Sequence, residues 1–114
     1  MTHVDYEKNG IPISVSVDLI GGAAATSIIV VPDNKVLYID DIEVMASNGA
    51  TVLTLTDVFD LLTSGVTTTK TLLKEAVVAT LSTSLKDVQN LQALGTLKAA
   101  LTVTGTVAIR GRLV

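Results

Sequence analysis

The chain has 114 residues, no cysteine, one histidine and a formal net charge of −3 at pH 7. That length makes one domain with a core that needs no staple, and the absence of cysteine excludes disulfides and thiolate metal sites. The acidic balance leaves no electrostatic footprint for nucleic acid.

Mean hydropathy is high, +0.58, while only 17% of residues are charged and the aromatics are Tyr6, Tyr38 and Phe59. The surface is therefore built largely of Thr, Ser, Ala and Val. A small domain of this kind is expected to hide part of that surface in an oligomer or on a larger body. No apolar run is long enough to span a membrane, and the polar start MTHVDYEKNG lacks the apolar stretch of a secretory signal.

Met1 to Gly10 reads as an N-terminal arm, followed by one domain over 11–114. Ile11 to Leu19 is the clearest strand: Ile11, Ile13, Val15, Val17 and Leu19 share one face, and Pro12, Ser14, Ser16 and Asp18 the other. Pro12 cannot donate to a ladder, which places the start of this strand at a sheet edge. Gly21-Gly22 is a turn, and Thr26 to Val31 is a β-branched run expected to be covered on both faces.

Pro32-Asp33-Asn34-Lys35 is a second turn. Val36 to Met45 is a strand whose parity slips at Asp40-Asp41, so a β-bulge there is expected to restore its apolar face. Ser47-Asn48-Gly49 reads as a hairpin turn returning through Thr51 to Thr56. From Asp57 to Gly95 the pattern weakens. The stretch 72–81 fits helix or strand, with strand favoured, and Ser84 to Leu94 reads as an irregular turn.

The last stretch, Leu97 to Val114, reads as two half-buried strands. Leu97, Ala99, Leu101 and Val103 form one apolar face, and Val107, Ile109 and Leu113 another, with Arg110 and Arg112 opposite. As a hairpin, a three-residue loop pairs Val103 with Val107, Leu101 with Ile109 and Leu97 with Leu113, and puts Gly105 or a neighbour in the left-handed position. Seven or eight short strands at about ten-residue spacing describe an all-β antiparallel sandwich, jelly-roll-like, with room for one short helix.

The segment VVPDNKVLYIDDIEVMASNGATVLTLTD resembles small structural proteins of tailed bacteriophages. The resemblance rests on Val31, Pro32, Lys35, Leu37, Tyr38 and Ile39, then the Asn48-Gly49 turn, and on the Thr-Gly-Thr-Val strand ending in Arg-Gly-Arg. It implies a jelly-roll subunit that decorates heads or builds fibres, commonly as a trimer. Its partners would be copies of itself and a major capsid or other virion protein, in a virion assembled in the host cytoplasm.

Site chemistry is sparse. His3, the single histidine, lies in the arm, which removes the usual general base from the domain and leaves no transition-metal set. We therefore expect no enzymatic activity and no cofactor. Asp40, Asp41 and Glu43 are hard oxygen ligands at short spacing and offer a weak calcium site, the alternative being solvated acids at a strand end; Asp57 and Asp60 form a second such pair. Arg110 and Arg112 suit acidic groups of a partner subunit, with Tyr6 of the arm as a further partner contact, or they keep an edge strand soluble. The competing functional readings are a soluble binding module for calcium or a glycan, and a filament subunit that lends its arm as a strand.

Overall fold

The computed structural model describes residues 10–46, 50–60, 67–78, 83–84 and 91–114. Residues 1–9, with His3 and Tyr6, and residues 47–49, 61–66, 79–82 and 85–90 lie outside them, and with them the sequence expectations for the arm and for Ser47-Asn48-Gly49. The described residues form β1 (Ile11–Leu19), β2 (Thr26–Val30), β3 (Leu37–Ala46), β4 (Ala50–Asp60), β5 (Thr67–Val78), β6 (Thr83–Ser84), β7 (Gln92–Ala93), β8 (Thr96–Leu101) and β9 (Gly105–Leu113). There is no helix among them.

The strands form two antiparallel sheets. One has the order β1-β9-β3, with the short β6 and β7 both paired to the far side of β3; the other has the order β2-β8-β4-β5. Because β6 and β7 occupy successive parts of one position, against Val44 and Leu37 respectively, the sandwich has eight strand positions. Consecutive strands cross between the sheets everywhere except at β4–β5 and β6–β7. This alternation is the jelly roll, as expected from the strand spacing.

The apolar parities predict the interior well. Leu37 and Ile39, then Ile42, Val44 and Ala46, all point inward from β3, and the ladder to β9 shifts between Ile39 and Asp41. The bulge at the aspartates therefore performs the expected parity switch. Leu53 and Leu55 from β4, Leu97, Ala99 and Leu101 from β8, and Val107 and Ile109 from β9 complete the space between the sheets. In the Pro32–Lys35 turn, the Lys35 N–H donates to the Pro32 carbonyl (3.2 Å), and Asn34 takes a left-handed φ of 66° that its short side chain tolerates.

Three pairings differ from the sequence reading. First, β8 and β9 are not a hairpin: β8 lies between β2 and β4, and β9 between β1 and β3. Ile109 is opposite Val15 and Ile42, not Leu101, and Leu97 is opposite Ile29 and Asp57, not Leu113. Lys98 likewise lies in the other sheet from Arg112. Alternating hydrophobicity states which face of a strand is buried; both sheets bury the same kind of face, so it cannot state which sheet the strand joins.

Second, β3 and β4 also lie in opposite sheets rather than pairing as the expected hairpin. Third, β2, at the edge of its sheet, is not covered on both faces: most of its residues are exposed. Its ladder to β8 is bulged between Ser27 and Ile29, which leaves Ile29 buried and Val30 71% exposed.

The crossing from β8 to β9 is held by threonines. The Thr51 hydroxyl accepts from the Val103 N–H at 3.0 Å and the Thr102 hydroxyl accepts from the Val52 N–H at 2.9 Å. From the adjacent β1–β2 turn, the Gly21 N–H donates to the Thr104 hydroxyl at 2.9 Å and the Gly22 N–H to the Leu101 carbonyl at 2.9 Å.

Gly105 is needed for close approach and not for a left-handed turn. Among the described residues only Gly10, Gly22 and Asn34 have positive φ, whereas a Cβ on Gly105 would lie 2.3 Å from the Met45 carbonyl oxygen. Gly105→Asn, which a left-handed hairpin position would accept, is therefore expected to lower stability by about 1–3 kcal/mol, read from urea unfolding followed by circular dichroism.

Candidate functional site

Two groups of polar residues and one cleft stand out. The first group lies on the outer face of the β1-β9-β3 sheet. The bulge in β3 sets Asp41 opposite Arg110, and Tyr38 opposite Arg112. The Arg110 guanidinium donates to the Asp41 carboxylate at 2.5 Å and lies 3.8 Å from Glu43. Arg112 lies 3.7 Å from Asp40 and stacks over the Tyr38 ring at 5.4 Å from its centroid. The hydrogen bond that Arg110 donates to Asp41, and then the charge of Asp41, raise the Arg110 pKa above its ordinary value.

The three acids weighed as calcium ligands thus face arginines of their own chain. No group of three acidic, histidine or cysteine side chains suited to a metal ion forms among the described residues. Arg110 and Arg112 are indeed exposed, but β9 is interior to its sheet, so the edge-protection role expected of them does not apply. All members of this array remain in contact with solvent, where such pairs contribute little to stability.

Asp57 is different. Its parity with Thr51, Leu53 and Leu55 turns it inward, and it is 2% exposed. Its two carboxylate oxygens accept the Gly95 N–H at 2.9 Å and the Leu94 N–H at 2.8 Å. The Val31 N–H donates to the Gly95 carbonyl at 2.9 Å. Asp57 therefore holds the bend between β7 and β8 against the ends of β4 and β2. Of the Asp57–Asp60 pair, only Asp60 has the exposure expected of a solvated acid, and it accepts the Thr67 hydroxyl at 3.0 Å.

That bend forms one wall of a cleft of about 730 Å³ at the end of the β2-β8-β4-β5 sheet. Val30, Phe59 and Leu94 supply apolar surface, and Asp33, Asp60 and Thr67 supply polar groups. Its size suits a small ligand or an inserted side-chain cluster. The cleft is not legible in the sequence, because its walls come from four separate segments. One signal was available: continuing the β4 parity one step past Leu55 places Asp57 in the core, where a carboxylate must find donors.

No protein-family model matches the chain, and no curated protein matches it.

Asp57→Ala removes both acceptors and leaves two backbone donors unsatisfied, so it is expected to cost about 2–4 kcal/mol in urea unfolding. Asp57→Asn is expected to recover only part of that loss, since its amide retains one of the two acceptor oxygens.

Proposed function

We propose that this protein is a non-enzymatic structural subunit of a virion, a capsid-decoration or fibre-associated protein of the tailed-bacteriophage type, that works by packing against copies of itself and docking on a larger particle. The observation that carries the reading is the jelly-roll order of the two sheets, joined to the resemblance in the β2–β4 segment. Apolar side chains left on the outside support it: Ile20 is 74% exposed, Val30 71% and Leu94 51%. In a chain this poor in charge, such residues are natural packing points.

A trimer is the symmetry that the resemblance implies, and Arg110 and Arg112 offer donors beyond those engaged by their own chain's acids. The second reading, a soluble module that binds a glycan or another small ligand, is favoured by the cleft between Val30, Phe59 and Leu94. The calcium version of that reading loses ground, because Asp40 and Asp41 lie against Arg112 and Arg110.

Light scattering after size exclusion tests the proposal. The expected result is a stable oligomer of the 11.8 kDa chain whose mass is the same with calcium and with chelator. A monomer at all concentrations, or an oligomer that chelator dissolves, would contradict it.

A further inference from the structure

The open edges of the sandwich are unequal. Strand β5 is a long edge, but it carries Lys70 and Lys74, and its ladder to β4 is bulged between Leu55 and Thr56. Strand β2 is short and bulged between Ser27 and Ile29. On the far side of β3, β6 and β7 have two residues each. Short length, lysine, proline and bulges are the usual means of keeping an edge from pairing with another chain. Strand β1 has only one of them, Pro12 at its very start. Its nine residues pair with β9 in unbroken register from Ile11↔Leu113 to Leu19↔Gly105, and Asp18 is its sole charge.

Which backbone groups face outward follows from β9. Val36 and Val114 exchange both backbone bonds, each at 3.0 Å. Even positions of β9 therefore turn their N–H and C=O toward β3, and odd positions turn theirs toward β1. The odd residues of β1 meet those odd positions, so the N–H and C=O groups of Ser14, Ser16 and Asp18 point away from β9. Pro12 agrees independently: it has no N–H, and its even position asks for none from the ladder. Among the described residues nothing pairs with this row.

The apolar side of β1 is also incomplete. Ile13, Val15 and Val17 stay half-buried, while Ile109 and Val107, opposite Val15 and Val17, are fully buried, and Ile11 is 42% exposed.

We propose that the β1 edge is a self-pairing surface, on which β1 of a second copy lies antiparallel and continues the β1-β9-β3 sheet across a two-fold axis. The inference rests on the assembly reading above and names its contact. The sequence of β1 suits itself as a partner. With Val15 on the axis, Ser14 meets the partner's Ser16, Pro12 meets the partner's Asp18, and Ile13 meets the partner's Val17. No like charges oppose one another, and the half-covered apolar row becomes continuous over both copies. Such a contact makes the number of copies even: two from this edge alone, six where a three-fold contact also forms.

The test uses the full chain and two variants. Ser16→Pro removes an outward N–H at a position equivalent to that of Pro12. Ser14→Glu/Ser16→Glu keeps every N–H but opposes glutamates across the axis, with exposed side chains that leave the monomer core untouched. Both are expected to halve the mass measured by light scattering, to raise the dissociation constant of the pair about tenfold or more, and to leave the β-sheet circular dichroism unchanged. In the unaltered oligomer the amides of Ser14, Ser16 and Asp18 are expected to exchange slowly with deuterium, and in the variants quickly.

An oligomer whose mass neither variant changes would overturn the edge pairing and leave the assembly reading standing. A monomer throughout would overturn both. Slow exchange at these amides in a monomer, independent of concentration, would mean that the chain's own segment covers the edge, and would also overturn the pairing.

Discussion

The structure depends on one crossing. Between Leu101 and Gly105 the chain leaves the centre of one sheet and enters the centre of the other. Both final strands are flanked on each side: β8 by β2 and β4, β9 by β1 and β3. Each sheet is thus assembled around a strand from the last fifth of the sequence. The threonine bonds at Thr51, Thr102 and Thr104 fix the geometry of the crossing, and Gly105 lets β9 start against the Met45 carbonyl. A consequence for folding is that β1, made first, finds its neighbour only when the end of the chain is present. Such long-range pairing is intrinsically slow.

The same arrangement separates the molecule's surfaces. The outer face of the β1-β9-β3 sheet carries an array in which arginines from β9 answer acids brought round by the bulge in β3. At one end of the other sheet, Asp57 ties the β7–β8 bend to β4 and thereby shapes the cleft that exposes Val30 and Leu94. At the side of the first sheet runs the β1 edge, which no strand covers among the described residues. Charges are satisfied within the chain where they cluster, whereas apolar groups and strand hydrogen bonds are left open in places that a second surface can cover. That distribution is what the proposed association would use.

Much of the fold was legible in the sequence because strand parity is a local property. Val15, Leu37, Ile42, Leu53, Leu97 and Ile109 point inward as their spacing says, and Asp40-Asp41 signals the bulge through the parity slip alone. Pairing partners were not legible. Leu101 and Ile109 look like cross-strand neighbours because each begins or continues an apolar face beside a glycine, yet the glycine serves close packing and the strands part. The β-branched run Thr26 to Val31 looks doubly covered, but bulging lets an edge strand carry the same composition. For the polar residues, sequence proximity drew Asp40, Asp41 and Glu43 together as ligands, while the fold set all three against arginines about seventy residues away. Asp57 was readable in principle, since its parity with Leu55 leads into the core.

The most direct test of this account is a set of Hα–Hα nuclear Overhauser contacts from the C-terminal strands. Such contacts arise between residues at non-hydrogen-bonded positions of antiparallel pairs, where the Cα atoms approach to about 4.5 Å. Contacts of Arg110 with Ser14 and of Ala108 with Ser16 are expected, and they report both the β1–β9 ladder and the outward turn of the even residues of β1. Contacts between Leu101 and Ile109, or between Val103 and Val107, would instead restore a C-terminal hairpin and contradict the fold, the site geometry and the open edge together.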